Sequence, residues 1–163
     1  MTVPEIRADM TLYLAGPMRG FPGWNWPAFD EYQTMLEDFY GIEVVSPANL
    51  DREAGIDYQD FLDQDGLKDC IERDVKAILD SCDGIVLMPG WKQSKGCAVE
   101  IALARFLGLA IYFAYYKLNP DNQSWSFYVS DRAGAAESMS RIGDHTPPWL
   151  PLPEETQTET PSA

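Results

Sequence analysis

The stretch DGIVLMPG, residues 83–90, constrains the fold most, because its apolar run does not alternate with polar residues. A strand of that kind is covered on both faces, which is the situation of an inner strand in a parallel sheet. Parallel neighbours need crossover connections, usually helices, and the chain supplies them. Residues 10–15 (MTLYLA), 42–47 (IEVVSP, ended by proline) and 109–116 (LAIYFAYY) read as further strands. Between them, Trp26 to Tyr40 carries Phe29, Tyr32, Met35, Leu36 and Phe39 at helical spacing, and Gly41 stops the run. Asn25 is the expected N-cap, with Pro27 in the first turn. Leu67 to Ser81 and Ala98 to Leu107 are the other expected helices. This order predicts a single α/β domain, a doubly wound parallel sheet with helices on both faces. Residues 48–66 read as an irregular excursion or a short helix near Tyr58 to Leu62, and Asp131 to Arg141 as a possible helix. The domain is expected to span residues 1–145. Residues 146–163, proline-rich and polar, read as a flexible tail.

In a doubly wound sheet, ligands bind beyond the carboxyl ends of the strands. Two loops fall there, GPMRG (residues 16–20) and the segment from Pro89 to Gly96, and they are expected to converge. Gly16 and Gly20 permit positive φ, and Arg19 offers a planar fork of donors for a phosphate or carboxylate. The alternative is an ordinary turn bearing a surface arginine. A formal net charge of −14 with no basic run argues against a nucleic acid polymer as partner, though local donors still permit a small phosphorylated ligand. Cys70, Cys82 and Cys97 are isolated and odd in number, which fits a reducing cytoplasm. Cys97 reads as a buried small hydrophobe and the single histidine, His145, as a loop residue. No signal-peptide h-region or long apolar stretch predicts secretion or membrane spanning.

Two carboxylates break the pattern of their helices. Asp74 lies three residues after Ile71 and four before Ile78, on or beside the apolar stripe. A carboxylate there needs either an ion pair, with Arg73 or Lys76, or a chemical purpose. Between Gly96 and Ala110 only Glu100 and Arg105 are charged, so that helix is expected to be largely buried. Glu100 falls near its start, where the helix dipole favours an ionised carboxylate suited to attack an electron-poor carbon. Local capping by a first-turn acid is the other reading.

The segments YLAGPMRG, RDVKAILDSCDGIVLMPGW and SKGCAVEIALARFLG together resemble the nucleoside 2-deoxyribosyltransferase-like superfamily, including its 2'-deoxynucleoside 5'-monophosphate N-glycosidases. More narrowly they look like its small, mostly phage-encoded members, over roughly residues 10–115. The resemblance implies a flavodoxin- or Rossmann-like sheet and a cytoplasmic enzyme, in a host cytoplasm if phage-encoded. It makes Glu100 the nucleophile at C1' of the deoxyribose, puts Asp74 against the sugar and departing base, and sets Tyr13 beside the nucleophile. It assigns the substrate to the first turn (Gly16, Met18, Arg19, Gly20) and to the loop bearing Trp91, Ser94 and Gly96. Arg19 and Ser94 hold the 5'-phosphate in the monophosphate branch. The serine comes from the neighbouring subunit, which implies a homodimer. Pro17 and Cys97 depart from the usual pattern, and Pro17 removes a main-chain donor from the phosphate cradle.

Cleavage of an N-glycosidic bond passes through an oxocarbenium-like state that a carboxylate can trap, as in retaining glycosidases. Glu100 would be the trap, and Asp74, with its pKa raised by apolar surroundings, the acid for the leaving base. No metal or redox cofactor is required. Trp91, Trp24 or Phe21 would stack on the base or anchor their loops. The expected activity is N-glycosidase action on a deoxynucleoside monophosphate. Base exchange by a deoxyribosyltransferase, or a non-catalytic nucleotide-binding or sensing protein, are the alternatives.

Overall fold

The structure is a computed structural model describing residues 4–59, 63–131 and 142–154. Five strands form one sheet: β1 (Thr11–Ala15), β2 (Glu43–Val45), β3 (Gly84–Leu87), β4 (Ala110–Asn119) and β5 (Ser124–Ser130), in the order β2-β1-β3-β4-β5. The first four are mutually parallel, with Tyr13 opposite Ile85 and Val86 opposite Tyr112. The expected strands and their parallel pairing are therefore present. The sheet is not wholly parallel, however: β4 runs past residue 116 and turns back into β5, which pairs antiparallel from Phe113–Ser130 to Asn119–Ser124. That edge strand, SWSFYVS, leaves one side exposed and only half-buries the other, so it lacks the unbroken apolar signature of β3.

Strand alternation divides the core. Leu12, Leu14, Val86 and Met88 face α1 (Trp26–Tyr40), whose Phe29, Tyr32 and Leu36 are almost wholly buried. Tyr13, Ala15, Ile85 and Leu87 face the opposite side, against α3 (Gln64–Ser81) and α4 (Lys95–Leu107) through Ile78, Cys97, Ile101 and Ala104. Helices thus cover both faces. The chain leaves β1 towards one side of the sheet and β3 towards the other, so the carboxyl ends of β1 and β3 flank a topological switch point.

Other expectations change. In residues 48–66 the helix is α2 (Pro47–Glu53), earlier than expected, begun by Pro47 with Ser46 in extended backbone before it; Tyr58 lies in a turn, and 60–62 are outside the described residues. Asn25 precedes α1 as expected but in left-handed backbone (φ 60°), and its side chain bonds the Pro17 carbonyl (2.8 Å) instead of capping the helix. The helix considered for 131–141 falls almost wholly outside the described residues. Nor do residues 146–154 behave as a free tail: Pro147 is fully buried, Leu150 joins the α1-side core and the Trp149 indole donates to Glu31 at 2.8 Å. His145 is buried in a short 3-10 turn (Ile142–His145), its Nδ1 3.0 Å from the Tyr116 carbonyl oxygen. Few apolar residues suffice to dock a segment when they enter an existing core, and composition alone does not register that.

Candidate active site

Tyr13 is the middle residue of β1, and strand alternation sends its ring to the α3/α4 side, where it is wholly buried. Its hydroxyl donates to Glu100 Oε1 at 2.8 Å, joining β1 to the second turn of α4. Glu100 is 5 % exposed and Asp74, on α3, 9 % exposed. Burial pushes Glu100 up to about 8, with the Tyr13 hydrogen bond pulling it back and the Asp74 charge raising it. Burial likewise raises Asp74, opposed by the hydrogen bonds and charge of Arg73; Asp51 pushes it up and the Tyr13 hydroxyl pulls it back. Tyr13 is itself raised by burial and by the two acids, which keeps its proton in place as a donor. Three of the sequence-predicted residues, Tyr13, Asp74 and Glu100, therefore form one electrostatically coupled group. The expectation of an ionised Glu100 in the free protein changes: at neutral pH burial outweighs the helix dipole, and the proton stays on the pair.

Asp74 also makes the ion pair considered for it. Arg73 reaches Asp74 Oδ1 through Nη2 (2.8 Å) and Nε (3.2 Å), and the same Nη2 lies 2.7 Å from Asp51 Oδ1. Lys76 instead pairs with Asp80 at 2.6 Å. Asp51 escaped sequence reading because it sits in an acid-rich stretch. Its spacing from Ala48, one turn earlier on α2, was the available signal, since Pro47, Ala48 and Asp51 form the buried face.

The two loops do converge. Met88 N–H donates to the Ala15 carbonyl at 2.8 Å, and a Cβ on Gly16 would lie 2.9 Å from Met88 Sδ. Gly16 is thus required by close approach, not by positive φ. Gly90, in left-handed backbone (φ 87°), passes so near Pro17 that a Cβ would come within 3.0 Å of its ring and 2.7 Å of Ile142. Gly20 has φ 78°, as expected, and its carbonyl accepts from the Glu154 amide at 2.6 Å. Arg19 is exposed, with its guanidinium 5.8 Å from the centre of the Trp24 ring, and it makes no hydrogen bond or ion pair among the described residues. Its charge acts on Cys70, one helical turn before Asp74.

The remaining predicted residues have structural duties. Met18 packs on the α1-side core, and Trp91 leans on Phe113 at 6.0 Å, the anchoring role for that ring. Phe21 is buried. Ser94 caps α4, its Oγ accepting from the Cys97 amide at 3.2 Å, and Gly96 leaves ordinary space beside that hydroxyl. Cys97 is buried as expected and its thiol is pushed up by burial to about 12. The outer face of α4 is not covered: Val99 and Phe106 are exposed, contrary to the expectation of a largely buried helix. Among the described residues, no group of three or more His, Cys, Asp or Glu is placed to hold a metal ion, and no helix is long and apolar enough to cross a membrane.

A mostly parallel α/β sheet with two buried, coupled acids on its α3/α4 side defines the class of protein. Within that class the chain belongs to the family described as "Domain of unknown function (DUF4406)", whose model matches residues 10–113 and so includes Tyr13, Arg19, Asp51, Arg73, Asp74, Ser94 and Glu100. No curated protein matches the chain.

Proposed function

We propose that the protein cleaves the bond between base and deoxyribose in a 2'-deoxynucleoside 5'-monophosphate. The observation that carries this reading is the buried Tyr13–Glu100 hydrogen bond of 2.8 Å with Asp74 coupled to both. Two acids with unequal environments are what a displacement at an anomeric carbon needs, one as nucleophile and one as proton donor. A Glu100 carboxylate oxygen attacks C1', the C1'–O bond forms as C1'–N breaks, and the base leaves with the electron pair, taking the proton of Asp74. Water then adds to C1', its proton passes to Asp74, and 2-deoxyribose 5-phosphate departs with Glu100 restored. Tyr13 orients Glu100 and stabilises its negative charge before attack. A second base in place of water makes the same site a deoxyribosyltransferase.

The phosphate falls to Arg19 and the turn around Gly20, since Arg19 has an exposed guanidinium without an acid partner among the described residues. Ser94 would join a neighbouring copy's site, and the uncovered apolar face of α4, with Phe106 86 % exposed, is the surface that favours a homodimer. The acidic chain with three free cysteines fits a cytoplasmic protein.

The test is release of free base from a panel of deoxynucleoside monophosphates and the matching nucleosides. Base is expected from at least one monophosphate. Arg19→Ala should raise its KM by about ten- to a hundredfold and spare the nucleoside. The competent form carries one proton, on Asp74, so kcat/KM should follow a bell that falls above about pH 8. No base from any substrate would remove the reading, and preference for bare nucleosides would remove its phosphate part.

A further inference from the structure

Arg73 and Asp51 lie outside every step just described, yet they are the nearest fixed charges to Asp74. Arg73 is the residue before Asp74 on α3; its side chain folds back so that Nε and Nη2 both meet Asp74 Oδ1, while Nη2 is shared with Asp51 Oδ1 on α2. The Asp51 side chain is 6 % exposed and that of Arg73 24 %. An arginine clamped between two carboxylates in a half-dry setting has little freedom, and α2 and α3 hold it from opposite sides. Asp74 in turn communicates with Glu100 through the Tyr13 hydroxyl and directly by charge. The line of groups is Asp51, Arg73, Asp74, Tyr13, Glu100, running from α2 through α3 and β1 to α4.

We propose that Arg73 and Asp51 are positioning residues that set which of the two acids, Asp74 or Glu100, carries the shared proton. This rests on the reading of Asp74 and Glu100 as the reacting acids, but its physical content does not require turnover. The Arg73 charge favours ionised Asp74 and so drives the proton towards Glu100. Asp51 counters this by neutralising part of the Arg73 charge and by repelling an ionised Asp74. The balance lets Asp74 be reprotonated at little cost when Glu100 is called on to attack. An unopposed Arg73 would lock Asp74 ionised and deprive the leaving base of its proton. The other groups facing Asp74 do not vary this balance. Tyr13 keeps its proton, the Cys70 thiol on the same helix is raised by burial, and the Arg19 charge acts on Cys70 and is not among the charges that shift Asp74.

The experiment is a carboxyl carbon NMR titration of the full chain, with Asp74 and Glu100 assigned by their Asn and Gln variants. Wild type is compared with Asp51→Asn, Arg73→Met and Arg73→Lys. Arg73→Met should raise the Asp74 midpoint by about one unit or more and lower that of Glu100; Asp51→Asn should shift both in the opposite sense by a smaller amount; Arg73→Lys should restore most of the wild-type pattern. If Arg73→Met does not fold, the isosteric Asp51→Asn carries the test alone. Shifts of the same sign in both variants, or none in Asp51→Asn, would overturn the proposal. The predicted shifts without base release would leave the tuning standing and remove the glycosidase. Base release with unchanged midpoints would do the reverse. In an active enzyme the acid limb of kcat/KM should move up in Arg73→Met and down in Asp51→Asn, which a purely structural loss would not produce.

Discussion

At the scale of single residues, the central fact is that a carboxyl is kept in the core where it is costly. Glu100 holds its proton up to about pH 8 in the folded protein but releases it near the ordinary glutamate value of 4.5 when unfolded. Between those values the native state binds more protons than the unfolded one, so stability falls as pH rises across that window. The loss is on the order of 1.4 kcal/mol for each pH unit crossed, before Tyr13 and neighbouring groups relax. Glu100→Gln removes the titrating group, keeps the shape and leaves an amide that can still accept from Tyr13. Thermal denaturation of both proteins should therefore show little difference near pH 4.5 and a more stable variant near pH 8, the gap growing steadily between them. Equal gaps at both values would mean that Glu100 does not keep its proton. Glu100 and Asp74 were legible in the sequence because each breaks an apolar helix stripe, and a charge in that setting stands out. Asp51 was not, because three-dimensional burial singles out one aspartate among several that look alike in an acid-rich stretch.

Among elements, the switch point works because three pieces of chain are pressed together over it. The turn after β1, the loop after β3 and the Ile142–His145 turn meet at Gly90, where a Cβ would strike both Ile142 and Pro17 and where φ is 87°. Gly90→Ala combines a left-handed penalty with that crowding and should destabilise by about 1 to 3 kcal/mol, read by chemical denaturation. Gly96→Ala, with only ordinary contact at 3.8 Å from Ser94 Oγ and helical backbone, should be close to neutral. If the two substitutions cost the same, the loops do not meet as described. The parallel strands and long helices were readable because period and length agree over many residues. Neither α2, seven residues long, nor the edge strand β5 repeats its period often enough to stand out. The convergence of the two glycine loops followed from topology, whereas the third partner at Gly90 comes from a turn some fifty residues further along the chain, which local pattern cannot reveal.

For the whole molecule, residues 142–154 pack onto the domain, and the Glu154 amide reaches back to the Gly20 carbonyl. Leu150, 8 % exposed in the α1-side core, should cost about 2 kcal/mol or more when cut to alanine, while exposed Leu152 should cost little; matched losses would contradict that docking. Residues 142–154 thereby tie the GPMRG turn and the loop after β3 to the far end of the chain. The proposed reaction requires Glu100 to become covalently attached to the sugar. The most direct measurement is peptide mass analysis of protein quenched with acid during reaction with a deoxynucleoside monophosphate that it cleaves. A deoxyribosyl 5-phosphate ester on the peptide carrying Glu100, absent from Glu100→Gln, is the predicted result. Base release at an undiminished rate by Glu100→Gln, or the sugar attached to any other residue, would contradict it.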